Sequence, residues 1–182
     1  MIILMGVAGA GKSIQGRLFA DKLGYRWIST GQLLRSLVTG ERRQQMLAGK
    51  LLSDDEVIGL VELTLKRTDL SKQVVLDGFP RTEHQAEWLM QQINDGKLKL
   101  TAIFNLIATE EVVKQRLLSR GRRDDNEAVI IERFKEYETK TLPIIKFFKE
   151  AGITVYDIDA DQDPETVYNA VISHISSETY IK

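Results

Sequence analysis

The sequence has no cysteine. That rules out disulfides and thiolate metal sites, and it fits a reducing compartment. No apolar run approaches the ~20 residues that span a bilayer, and the apolar start Ile2-Ile3-Leu4-Met5 is too short for a secretory leader. Neither charge sign is in surplus: 25 Lys and Arg face 26 Asp and Glu, for a net charge of −1. The electrostatic case for nucleic acid is therefore missing. Repeats, low-complexity segments and Pro/Gly/Ser-rich linkers are also lacking, so no domain boundary is marked. At 182 residues the expectation is one domain, residues 1–182, cytoplasmic and independent of membranes.

What is there begins at the N-terminus. Gly6-Val7-Ala8-Gly9-Ala10-Gly11-Lys12-Ser13 is G-x-x-x-x-G-K-[ST], placed after a strand-like run and before the helix-like Ile14 to Leu23, which is the context of a P-loop. Glycines let the backbone curl until successive N–H groups face one anion, and the opening helix adds its positive end. Lys12 supplies a cation to the β- and γ-phosphates, and Ser13 offers a hydroxyl to Mg²⁺. The plainer alternative is a glycine-rich turn that only joins strand to helix. Flanking strand and helix favour the P-loop, and with it binding of a nucleoside triphosphate.

Short apolar strands then alternate with longer amphipathic segments. Strands are expected at Tyr25 to Ile28, Val74 to Leu76, Ala102 to Ile107 and Thr154 to Ile158. Helices are expected after Thr30, at Val57 to Leu65 behind a capping box at Ser53 to Glu56, and at Glu83 to Ile93, Glu110 to Ser119, Glu127 to Lys149 and Pro164 to Ile175. A polar helix-like stretch is expected around Glu41 to Leu47. The alternation predicts an α/β fold, a parallel sheet wrapped by helices, with ligands at the carboxyl ends of the strands. The P-loop, Ser29-Thr30-Gly31 and Asp77 to Arg81 then share one rim.

Asp77, ending Val74-Val75-Leu76, stands where P-loop proteins keep a carboxylate for Mg²⁺. A lone Asp at a strand end is otherwise a turn cap. Arg116, Arg120, Arg122, Arg123 and Arg133 gather around Gly121. They could be a solvated helix face, neutralised by neighbouring carboxylates. The i,i+4 spacing of Arg116 and Arg120, and the density of the block at a loop, favour a clamp on a transferring phosphoryl group.

Over nearly its whole length the chain resembles the adenylate kinases. The resemblance is carried by the P-loop, by Ile28-Ser29-Thr30-Gly31-Gln32-Leu33-Leu34-Arg35 and by Ala48-Gly49-Lys50-Leu51-Leu52-Ser53-Asp54. It continues through Leu76-Asp77-Gly78-Phe79-Pro80-Arg81-Thr82 with Gln85, through Arg122-Arg123-Asp124-Asp125-Asn126, and through Arg133, Tyr137, Thr141 and Pro143. It implies a three-layer αβα fold with a five-stranded parallel sheet, an NMP-binding segment at about residues 30–60, a short lid near 120–124, and a monomer.

The resemblance also implies roles. Gly9, Ala10, Gly11, Lys12, Ser13 and Ile14 would hold the ATP phosphates, and Arg116 would stack on the donor adenine. Arg35 and Arg81 would grip the AMP phosphate as planar forks. Gln85 would read the adenine edge beside Thr30, with Leu52 and Gly78 completing the AMP side. Lys12, Arg81, Arg120, Arg122 and Arg133 would serve catalysis, with Ser13 and Asp77 on Mg²⁺, Asp77 through water. The implied reaction is MgATP + AMP to two ADP. A UMP/CMP kinase is the alternative within the class, although Thr30, Thr82 and Gln85 point to AMP. A non-catalytic ATP-binding switch is the alternative outside it. Departures from the family pattern are Ala8 for proline, Ser13-Ile14 for Gly-Thr, Gln32 for aspartate, and a lid of only Gly121-Arg122-Arg123, with no room or cysteines for a zinc insert.

Overall fold

The computed structural model describes residues 1–37, 39–40, 52–121 and 127–175. Five strands, β1 (Ile2–Gly6), β2 (Arg26–Ser29), β3 (Val74–Asp77), β4 (Ala102–Ile107) and β5 (Val155–Asp159), form one sheet in the order β2-β3-β1-β4-β5. Every pairing is parallel. The helices are α1 (Lys12–Leu23), α2 (Thr30–Leu37), α3 (Asp54–Lys66), α4 (Glu83–Asn94), α5 (Glu110–Arg120), α6 (Glu127–Glu136), α7 (Leu142–Glu150) and α8 (Pro164–His174). None of the described helices is long and apolar enough to cross a membrane.

Both faces of the sheet are covered, so its strands are apolar on both sides, as parallel strands must be. Ile2 and Leu4 of β1 join Phe19, Val113, Leu117 and Val171 in one core. Ile3 and Met5 turn the other way, onto Val61, Leu65, Ala86, Leu89 and Phe148. The αβα architecture follows from that alternation. Each fully buried side chain of this size contributes about 1.5–3 kcal/mol, so the frame beneath the strand ends is firm.

Local signals fix the helix starts. At α3 the Ser53 hydroxyl accepts from the Glu56 N–H while Glu56 accepts from the Ser53 N–H, the expected capping box. Thr82, Thr109 and Asp163 cap α4, α5 and α8. Strand bounds agree with expectation to within one or two residues, with β2 and β5 each shifted one residue towards the C-terminus. One element differs in kind. The helix expected over Glu127 to Lys149 is broken by a π-helical turn, Tyr137–Thr141, between α6 and α7. The stretch Glu41 to Leu47 lies outside the described residues.

Candidate active site

The crossover between β1 and its two neighbours, β3 and β4, opens a crevice at the strands' carboxyl ends. There a cleft of about 840 Å³ is lined by the P-loop and α1, by Thr30 and Arg35 of α2, by Asp77, Gly78 and Arg81, and by the loop after β5. The expected shared rim is therefore present.

Gly11, in a left-handed conformation (φ +102°), is the residue from which α1 starts, and no side chain caps that start. The N–H groups of Ile14 and Gln15 both donate to the Gly11 carbonyl (2.9 and 3.0 Å), and those before them stand at the positive end of the helix dipole. Lys12 reaches back along the loop, its Nζ donating to the carbonyls of Gly6 (2.7 Å) and Val7 (2.8 Å). Ser13 Oγ donates to Asp77 Oδ2 at 2.7 Å, joining the helix start to the end of β3. Asp77 is only 3% exposed.

Burial pulls the Lys12 ammonium down to a pKa of about 8. Asp77 opposes that fall, while Arg81, Arg120 and Arg133 add to it. Arg81, Arg120 and Arg133 thus stand near enough for their charges to act on one buried ammonium, and an anion bound beside Lys12 would favour its charged form.

One flank of the cleft holds Thr30, Arg35, Gly78, Arg81 and Gln85. Thr30 Oγ1 shares its proton between the carbonyls of Asp77 (3.1 Å) and Gly78 (2.7 Å). A Cβ at Gly78 would stand 2.8 Å from Thr30 Oγ1 and 3.1 Å from an Arg81 nitrogen, at φ +80°. Glycine is therefore required to bring these groups together. Arg81 Nε donates to the Gly78 carbonyl at 2.9 Å. Gln85 is 4% exposed; its Oε1 accepts the Arg81 N–H (2.8 Å) and its Nε2 donates to Asp54 Oδ1 (2.7 Å). The amide orientation is thereby fixed, with one N–H and one lone pair left over.

The opposite flank holds Arg116, Ala160, Gln162 and Pro164. The edge of the Arg116 guanidinium is pinned by the carbonyls of Ala160 (2.7 Å), Asp161 (3.4 Å) and Gln162 (2.9 Å). Such edge bonding holds the plane and leaves its faces for stacking. Gln15 Nε2 ties α1 to this loop through the Pro164 carbonyl at 2.9 Å.

Of the residues singled out from sequence, Gly9, Ala10, Gly11, Lys12, Ser13, Ile14, Thr30, Arg35, Asp77, Gly78, Arg81, Gln85, Arg116, Arg120 and Arg133 all line this cleft. Leu52 is not among its described lining residues, and Arg122 and Arg123 lie outside the described residues. Sequence reasoning missed Asp54 as the partner of Gln85, and the loop Ala160 to Pro164. Asp54 lies within motifs read for other reasons and the Ala160 to Pro164 loop has only Pro164 as a helix-start signal; both enter the site through contacts more than thirty residues apart along the chain.

Comparison with known proteins bears on this geometry. A sequence profile of the adenylate kinase family matches residues 4–153. The adenylate kinase of Corynebacterium urealyticum is 36% identical over 177 residues, covering 94% of this chain and 96% of its own. That of Leptospira biflexa is 37% identical over 184 positions, covering 96% and 98%. That of Archaeoglobus fulgidus is 31% identical over 207 positions, covering 93% and 95%. With a P-loop, with Arg35 and Arg81 lining the same cleft, and with relatives matched over more than nine-tenths of their length, the chain belongs to the adenylate kinase family and, with it, to the nucleoside monophosphate kinases.

Proposed function

We propose that the cleft aligns ATP and AMP and transfers the γ-phosphoryl group between them, reversibly, to give two ADP. The carrying observation is the convergence of Lys12, Arg81, Arg120 and Arg133 between two flanks of a single cleft. A sensor that only holds ATP needs no further arginines across the cleft from the P-loop.

ATP lies on the P-loop side, its phosphates on the amides of residues 9–14 and on Lys12 Nζ, with its adenine against the face of Arg116. AMP lies on the Thr30 and Gln85 side, its α-phosphate gripped by Arg35 and Arg81 and its base completed by the segment near Leu52. An oxygen of the AMP phosphate attacks the γ-phosphorus; that O–P bond forms as the bond to the β,γ-bridging oxygen breaks, and ADP leaves. The nucleophile is already an anion, so no general base is required. Catalysis is alignment plus stabilisation of charge on the moving group.

Ser13 and Asp77 are hard oxygen donors 2.7 Å apart, and no cluster of three carboxylate or imidazole ligands exists among the described residues. That set suits Mg²⁺, which takes one or two protein oxygens and fills its octahedron with phosphate and water. When bound, the ion neutralises phosphate charge. Residues 30–60 would form the AMP-binding segment, and residues 120–124 a lid carrying Arg122 onto the phosphoryl group beside Arg120 and Arg133. The chain is taken to act as a monomer.

Incubation with MgATP and AMP tests the reaction. Two ADP should form for each AMP consumed, without release of inorganic phosphate. Release of phosphate without ADP gain on AMP, or no turnover, would favour the switch reading.

A further inference from the structure

Ile130 and Ile144 stand fourteen positions apart, a spacing that returns within about 40° of the same face of an uninterrupted α-helix. Yet Ile130 and Phe134 of α6 pack on one core, with Phe19 and Leu117, while Ile144, Ile145 and Phe148 of α7 pack on the other, with Ile3 and Leu89. The π turn Tyr137–Thr141 reconciles the two. One extra residue in the turn rotates α7 by about 100° relative to α6. Tyr137, at the start of the turn, packs against both cores.

Its hydroxyl is anchored. Tyr137 Oη donates to Asn105 Oδ1 at 3.0 Å, Asn105 Nδ2 donates to Asp157 Oδ1 at 2.8 Å, and Lys149 Nζ reaches Asp157 Oδ2 at 3.2 Å. Asn105 is 2% exposed, deep in the sheet. In the β1–β4 register it stands opposite Met5, the residue before Gly6 and the P-loop. Arg133 lies four residues before Tyr137, about one turn away on the same side of the helix, and lines the cleft. Its helix is thus indexed to the strand pair that carries the P-loop.

We propose that Tyr137 and Asn105 are positioning residues for the reaction: their hydrogen bond sets the rotation and height of α6, and so holds Arg133 at the transferring phosphoryl group. Neither touches substrate. The inference rests on the role given to Arg133 above, and the experiment separates the two.

Four variants are compared for kcat, KM and thermal midpoint: Tyr137→Phe, Arg133→Ala, the two combined, and Tyr137→Phe with Asn105→Leu. Tyr137→Phe removes one hydroxyl and should lower kcat about tenfold, with KM for ATP and AMP changed less than about twofold, because misplacement of a group at the reacting centre acts on the chemical step. In the Arg133→Ala background the same change should have no further effect, since the coupled pair acts as a unit. The doubly apolar variant should recover thermal stability, its buried polar groups being removed together, while kcat stays low. If kcat returns with stability, or if the Tyr137 and Arg133 losses multiply, the hydrogen bond is only structural and the proposal fails. Should Arg133→Ala itself turn over at the wild-type rate, the assigned role of Arg133 falls and the proposal falls with it. An impaired Arg133→Ala beside a normal Tyr137→Phe overturns the positioning role alone.

Discussion

Lys12→Ala is expected to lower kcat at least ~10²-fold while leaving the fold intact, as loss of a cation aimed at developing charge does. The side chain donates to two carbonyls, those of Gly6 and Val7, and lines an open cleft from which water can replace it. The cost to stability should therefore stay near the ~1 kcal/mol of an ordinary hydrogen bond, or roughly 2–4 °C of melting temperature for a chain of this size. Lys12 also predicts a proton. With a pKa of about 8 in the free protein, it is partly neutral at about pH 8.5. Phosphate oxygens placed against it favour the charged form and raise that pKa, so nucleotide binding at that pH should take up a fraction of a proton. Calorimetry in buffers of different ionisation enthalpy reads the uptake, and Lys12→Ala should abolish it. Near wild-type ADP formation by Lys12→Ala would show that the phosphates lie elsewhere.

Gly6→Ala should be the most damaging small substitution to the fold. Gly6 closes β1 opposite Leu106 of β4 at φ +128°, and a Cβ there would stand 2.4 Å from the Leu106 carbonyl oxygen. Backbone strain of about 1–3 kcal/mol and a comparable overpacking term fall on the central strand pair, against a carbonyl that cannot move without breaking the sheet. The melting temperature should drop by roughly 10 °C or more. Gly59 is the control: it sits in α3 with nothing within 4 Å of a Cβ, so Gly59→Ala should be neutral or stabilising by up to about 1 kcal/mol. Thermal melts of both variants decide the matter. Equal melting temperatures would mean that the close approach of β1 and β4 is not a constraint on the fold.

Local patterns made most of the fold legible. The P-loop, the capping box at Ser53 and the apolar runs of β1, β3 and β4 each state their structure within a few residues, and the parallel sheet follows from their alternation with helices. The π turn left no such mark. Its cause is tertiary, a helix that must serve two cores in succession, and the amphipathic pattern from Glu127 to Lys149 reads as continuous without that knowledge. The site divided in the same way. Lys12, Ser13 and Asp77 could be placed from spacing, because a loop and a strand end dictate where they point. Gln85 could be named only through resemblance, and its orientation depends on Asp54, thirty-one residues earlier. Arg116 likewise depends on carbonyls forty-four or more residues later. No periodicity encodes such pairings.

The choice of acceptor tests the assigned chemistry most directly. With MgATP as donor, kcat/KM is measured for AMP, UMP and CMP by ADP formation. The Gln85 amide, held by Arg81 and Asp54 with one N–H and one lone pair to offer, is left unpaired by the wrong base at roughly 1–3 kcal/mol. AMP should therefore lead by at least ~10-fold. Equal or better use of CMP or UMP would contradict the assignment of this flank of the cleft to AMP.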